Sequence, residues 1–250
     1  MMRTLGSVAA VGGAAAGLLV LLAWVPNTTP APHGSAGATI SGKVKLTGKP
    51  AASVNPEIDM SEESKCAALY KTTPHEEIVM ANANGTLGNV FVYVKSGLAA
   101  DAKFPTPTTS VTIDQKGCLY HPRVFGIMVN QQLAIKNSDG LLHNIKAMAK
   151  KNRPFNISQP TNMTTDRSFT VQEVMLPFEC NVHGWMHAFA GVLPHPFYSV
   201  TGADGSFSIS GLPAGTYTIE AWHEKYGTQT ATVTVAATGT KTQDFTFTAK

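Results

Sequence analysis

An all-β fold is predicted for most of this 250-residue chain. Three observations point to it. Thr, Val and aromatic residues recur in alternating runs. Gly and Pro are plentiful, at 22 and 15 residues, and punctuate those runs as turns. No helical periodicity of useful length follows the apolar N-terminus. Charge is sparse, with 14% of residues charged, a formal net charge of +3, and Lys and Arg scattered along the chain. Nucleic-acid binding is not expected, because it calls for a clustered basic surface.

The chain begins with one Arg and then an uncharged apolar run from about Leu5 to Val25; no charged residue occurs between Arg3 and Lys43. Residues 1–25 therefore read as an export signal or as a retained membrane-anchoring helix. Gly12, Gly13 and Gly17 argue against a buried soluble helix. The Pro-rich stretch 26–38 is a spacer. The implied location is periplasmic or otherwise extracytoplasmic.

The strands follow in order. "ISGKVKLTGKP" (Ile40 to Pro50) is a strand closed by a Gly turn, and a polar stretch holding Cys66 comes after it. "NVFVYVKSG", "SVTIDQ", "RVFGIMVN" and "QQLAIKNSDG" are further strands, the last turning at Ser138-Asp139-Gly140. Residues 146–167 are polar and Asn-rich, and are expected to form a long surface loop or short helix. "SFTVQEVMLPFEC" resumes β structure and delivers Cys180 at its end, and "AFAGVLPH" leads away. "GSFSISGLPAGTYTIEAWHE", "TQTATVTVAA" and "KTQDFTFTAK" alternate most cleanly. Strands at this spacing predict β-sandwiches.

The cysteines number three: Cys66, Cys118 and Cys180. In an oxidising compartment two can pair and one is left over. Cys180 stands beside a histidine and a methionine, so the simplest pairing is a Cys66–Cys118 disulfide with Cys180 kept as a functional thiolate. The alternative is that Cys66 and Cys118 are buried free thiols.

Cys180, His183 and Met186 lie at C-x-x-H-x-x-M spacing in "FECNVHGWMHAF". A soft thiolate, imidazoles and a weak thioether suit copper cycling between Cu(I) and Cu(II). Zinc prefers four strong ligands and rarely takes methionine. A trigonal copper site needs a second histidine. His143, in "NSDGLLHNI", is the best placed. His33 lies in the spacer, His75 in a polar segment, His121 beside the predicted disulfide, and His195 and His223 in or beside the last strands. His187 adjoins Met186 and would point the other way on an extended chain. A packed core with Met186 and Trp185 as filler leaves the two histidines unexplained. A Cys–His nucleophile leaves Met186 without a role, so no enzyme is expected. No C-x-x-C-H is present for covalent haem, and a binuclear purple site would need a second cysteine in the loop.

"VFGIMVNQQLAIKNSDGLLHNI" followed by "FECNVHGWM" resembles the cupredoxin (blue copper) family, with a short ligand loop of the amicyanin type. The resemblance implies a Greek-key β-sandwich with His143, Cys180, His183 and Met186 as copper ligands. It also implies that Asn144 ties the first-histidine loop to the cysteine loop. Relatives often place proline after the second histidine; this chain has Gly184.

"TGADGSFSISGLPAGTYTIEAWHE" resembles the carboxypeptidase regulatory-like, or transthyretin-like, β-sandwich, and "SGKVKLTGKP" fits that module's opening strand. The implied organisation is an interrupted module, residues 39–103 and 195–250, with a copper domain at 104–194 inserted between its parts. His195 and His223 are then expected to be hydrogen-bonded structural residues at the junction. The function implied is single-electron transfer by an exported mononuclear copper protein, with a redox partner such as a cytochrome or oxidoreductase. An apolar cover around Trp185 and Phe189 would exclude water and offer a docking surface. The alternatives are a copper-holding or copper-delivery protein, and a carbohydrate- or protein-binding module without metal.

Overall fold

The computed structural model describes residues 37–249. The apolar N-terminus, read above as signal or anchor, lies outside the described residues, as does nearly all of the spacer. No described helix is long and apolar enough to cross a membrane.

Strands β1 (Ala38–Thr47) and β2 (Phe91–Ser96) come first, separated by a long connection that holds only a 3-10 turn (Ala52–Val54) and helix α1 (Ser64–Ala67). There follow β3 (Val111–Lys116), β4 (Leu119–His121), β5 (Val124–Met128), β6 (Leu133–Asn137), β7 (His143–Ala147), β8 (Phe155–Gln159), β9 (Thr164–Arg167), β10 (Glu173–Glu179) and β11 (His187–Leu193). The last six are β12 (Tyr198–Val200), β13 (Ser206–Leu212), β14 (Gly215–His223), β15 (Gly227–Val235), β16 (Thr240–Thr242) and β17 (Phe245–Thr248).

These strands form four sheets. Two are built from the ends of the described chain: β13-β1-β16, with β17 also on β1, and β12-β2-β14-β15. The other two are built from its middle: β5-β11-β10-β7-β8 and β4-β3-β6-β9. Alternation explains the first pair. In β14 the residues Tyr217, Ile219 and Ala221 are buried, and β15 pairs with it over nine residues, closing at Gly227 with φ 78°. Ile40, Val44, Val92, Ile209, Ile219 and Phe247 fill the interior between these two sheets. Ile113, Ile127, Leu133, Ile135, Phe178 and Val192 fill the interior of the middle pair. A third cluster, including Phe91, Tyr93, Val124 and Leu193, joins the two halves. The approach there is so close that a Cβ on Gly191 would collide with the Phe91 ring, and one on Gly126 with the Tyr198 ring.

Residues 146–167 are not a loop or helix. They hold the end of β7 and all of β8 and β9. Both β8 and β9 are edge strands, and an edge strand with one wet face tolerates the polar composition that disguised them. Phe155 and Ile157, on β8, still pack against the interior.

The sheet order brings the candidate ligands together. β7 starts at His143 and β10 ends at Glu179, and the two run antiparallel with Glu179 opposite Lys146. The start of β7 is thereby laid beside the loop 180–186 that links β10 to β11.

Candidate metal centre

His143 enters from a bend shaped by Asn137. The Asn137 side chain donates to the Leu141 carbonyl and the Gln159 carbonyl, both at 2.9 Å, and accepts the Asp139 N–H at 3.0 Å. Asp139, which looks like an ordinary turn residue in the sequence, is buried. Its carboxylate accepts the backbone N–H groups of Gly117 and Cys118, each at 2.8 Å, and lies 2.8 Å from His143 Nε2. Burial alone would raise the Asp139 carboxyl. The Cys118 and Gly117 N–H groups, with His143, outweigh it and hold the group below the usual carboxylate range. An anionic carboxylate at Nε2 fixes the proton there, so that Nδ1 carries the free lone pair.

That Nδ1 faces His183 Nδ1 at 3.1 Å, and His183 Nδ1 lies 3.7 Å from Cys180 Sγ. His143, Cys180 and His183 each place a donor atom within 4.8 Å of the others, and all three are buried. The two Nδ1 atoms thus converge beside the Cys180 sulfur, three donor atoms directed at one small buried space. The donor set of two nitrogens and one soft sulfur fits copper. Burial pushes the Cys180 thiol up, but bonds from the His183 ring and its N–H, with further backbone help from Asn144 and Val182, bring it below its ordinary value. Met186 is fully buried in the apolar cluster that also holds Cys180, and its N–H closes a tight turn onto the His183 carbonyl at 3.0 Å.

Asn144 Oδ1 accepts the Asn181 N–H at 2.5 Å, linking the β7 start to the cysteine loop, and its amide reaches Asn156. Tyr120 donates to the Asn144 carbonyl at 2.5 Å, and its hydroxyl is pushed far up by burial and by the nearby Cys180. These bonds hold the loop in one geometry, the role that surrounding hydrogen bonds play at metal sites.

The site is also covered. Cys66 and Cys118 form a disulfide, and Cys66 Sγ lies 3.5 Å from His183 Nε2. Glu63 Oε2 is 3.9 Å from the same nitrogen. Ile58, Met60, Cys66 and Cys118 cluster against Trp185, whose indole donates to the Cys118 carbonyl at 2.9 Å. Tyr70 donates to the Gly117 carbonyl at 2.5 Å. As a result His183 is only 2% exposed.

Phe189 is not part of this cover. Its ring packs on Trp222, 5.1 Å between centroids, in the cluster joining the two halves. On β11 its neighbours Ala188 and Ala190 face the interior that holds the site, and alternation turns Phe189 to the other face. His195 and His223 are buried away from the centre. His195 Nδ1 accepts the Phe197 N–H at 3.3 Å, and His223 Nδ1 accepts those of Lys225 and Tyr226 at 3.1 and 3.3 Å. Burial lowers both to about 4.

Asp139, Glu63 and the disulfide's contact with His183 escaped the sequence reading. Asp139 sits in the same "NSDG…H" stretch that drew attention to His143, but nothing local shows that its partners are backbone groups more than twenty residues upstream.

A model of the carboxypeptidase regulatory-like domain matches residues 193–248. No curated protein matches the chain. Among solved structures, a copper-containing nitrite reductase from Thermus scotoductus SA-01 is 20% identical with a TM-score of 0.32; the match covers 39% of this chain and 25% of that one. A purple cupredoxin from Nitrosopumilus maritimus is 20% identical with a TM-score of 0.28, over 32% of this chain and 97% of that one. An amicyanin variant in its Cu(I) state is 14% identical with a TM-score of 0.31, over 40% and 97%. The chain is therefore one with cupredoxin-like structural neighbours and a C-terminal match to the carboxypeptidase regulatory-like domain.

Proposed function

We propose that the protein is an exported mononuclear copper protein that carries single electrons between redox partners, and is not an enzyme. The observation that carries this reading is the convergence of His143 Nδ1, His183 Nδ1 and Cys180 Sγ in one buried place. Copper, when bound, supplies reversible one-electron chemistry between Cu(I) and Cu(II). Cys180 would be its thiolate donor, His143 and His183 would complete a trigonal set, and Met186 would be the weak fourth ligand. Asp139 holds the His143 proton on Nε2, and Asn144 ties the two ligand-bearing segments. A centre fixed this way changes little between oxidation states, which favours fast transfer.

In this reading residues 104–194 are a copper domain set within a β-sandwich made by 39–103 and 195–250. The protein works in the periplasm or another extracytoplasmic space, held at the membrane if its N-terminal run is retained. Its partner is another redox protein, such as a cytochrome or an oxidoreductase.

The test is to purify the full chain, add Cu(II) and record the visible spectrum. An intense thiolate-to-copper band, lost in Cys180→Ser and altered in His143→Ala, supports the reading. Absence of both band and stoichiometric copper would exclude it, and would leave a metal-free carbohydrate- or protein-binding module. One observation favours a second reading, copper holding or delivery: His183 is sealed under the disulfide-bound segment and presents no exposed edge to a partner. Reversible reduction and oxidation of bound copper by a soluble redox protein separates the two.

A further inference from the structure

The chain carries two further cysteine sulfur atoms that the proposed centre does not use. We propose that Cys66 and Cys118, once reduced, form a separate Cu(I) site built on their two thiolates, with His183 Nε2 as its third donor. The Cys66 and Cys118 sulfurs and a His183 nitrogen already lie within 4.8 Å of one another, and all three residues are buried. Cys66 Sγ is 3.5 Å from His183 Nε2. The opposite ring nitrogen, Nδ1, is the one that faces Cys180 and His143. One imidazole therefore stands between two donor sets and offers a different nitrogen to each.

Two thiolates and an imidazole suit Cu(I) and Zn(II) alike, and the surroundings favour the first. Ile58, Met60, Leu119, Leu141 and Trp185 pack around the sulfurs, and walls of this kind exclude water and favour the less hydrated, singly charged ion. The two Cα atoms are 5.8 Å apart, close enough for two side chains to straddle one ion. Glu63 Oε2, 3.9 Å from His183 Nε2, stands at the rim with a negative charge facing an entering cation.

The redox step is a thiol–disulfide exchange with a dithiol reductant. The Cys66–Cys118 bond takes up two electrons and two protons, and the reductant leaves as its own disulfide. Cu(I) then displaces the two thiol protons as its sulfur bonds form, and where His183 Nδ1 already holds the first ion it also displaces the Nε2 proton, leaving the ring as a bridging imidazolate. Oxidised, the pair has no free thiolate and holds no metal. The disulfide is thus a lock on a metal site, and the number of ions the protein carries depends on the redox state of its compartment.

The experiment counts Cu(I). Full-length protein, either oxidised or reduced with dithiothreitol that is then removed anaerobically, is titrated with Cu(I) against bathocuproine disulfonate. The oxidised protein should hold one equivalent and the reduced protein two. Cys180→Ser should hold none when oxidised and one when reduced, and the paired variant Cys66→Ser with Cys118→Ser should hold one in either condition. A reduced protein that holds only one, or a reduced Cys180→Ser that holds none, overturns the proposal. Should the paired variant not fold, the Cys180→Ser arm decides alone, because it keeps the cysteine pair intact. An oxidised protein with no copper, together with one equivalent in reduced Cys180→Ser, would remove the electron-carrier reading and leave this site standing.

Discussion

The sheets built from the ends of the chain and those built from its middle are held together differently. Between the end sheets the interior is mainly hydrocarbon, from Ile40, Val44, Val92, Ile209, Ile219 and Phe247, with the buried His223 ring set against Phe247. The middle sheets also bury Gln115, Asn137, Asp139, His143, Asn144 and Gln159. A buried polar group costs free energy unless it finds a partner, and here nearly all do: Asn137 bridges the Leu141 and Gln159 carbonyls, and Gln159 donates to the Ile135 carbonyl at 2.9 Å. Burial of apolar area fixes the first pair of sheets. A hydrogen-bonded scaffold fixes the second, and it leads to the imidazoles.

The largest expected effects separate the two halves. Cys180→Ser should abolish the thiolate-to-copper band entirely, while the metal-free protein keeps its unfolding midpoint in urea to within a small shift. Ile219→Ala, in the interior of the end sheets, should cost about 2–5 kcal/mol of stability and leave the band where it was. An Ile219→Ala protein with a displaced band would show that the halves are mechanically coupled through Phe91, Val124 and Leu193.

Next in size is Asp139→Asn. The amide can still receive one backbone N–H, but it no longer fixes the His143 proton as a carboxylate does. Loss of such a supporting group typically weakens metal affinity by about 10–100-fold, and competition with a chelator would measure it. Unchanged affinity would mean that Asp139 serves only the Gly117–Cys118 turn.

Much of the fold was legible because alternation reports a strand with one buried face, as in β13, β14 and β15. The same signal failed at β8 and β9, where an edge position makes polar residues affordable. The C-x-x-H spacing could be read because one turn of chain brings Cys180 and His183 together. The Cys66–Cys118 disulfide followed from compartment and count, but its place against His183 did not: a contact across 117 residues leaves no local periodicity. Phe189 was assigned to the wrong face because its neighbours in sequence were read as neighbours in space, although β structure begins at His187.

The end sheets carry their own pH dependence. His195 and His223 titrate at about 4 in the folded protein, against 6.5 ordinarily, because burial disfavours the charged imidazole. Above pH 6.5 both states hold neutral rings. Between about 4 and 6.5 only the unfolded chain takes up these protons, so stability falls as pH falls through that window and levels off below it. The shifts correspond to about 3 kcal/mol per histidine at most. Urea unfolding of the metal-free protein across this range should show the slope, reduced by half in His223→Gln. A slope unaltered by that change would place the protons elsewhere.

The smallest effect tests the ligand loop itself. Gly184 follows His183 where relatives often carry proline, yet its φ is not in the left-handed region that favours glycine, and a Cβ placed on it would meet nothing within 4 Å. Gly184→Ala should therefore fit without strain and stabilise the protein by about 0.4–1 kcal/mol, chiefly by restricting the unfolded chain. The loop's shape comes instead from the Met186 N–H on the His183 carbonyl, the Asn181 N–H on Asn144, and the cover over Trp185. If those contacts set the geometry, the visible band and the copper affinity should not move in Gly184→Ala. A shifted or broadened band would show that glycine's freedom at this position is part of how the loop accommodates its ion.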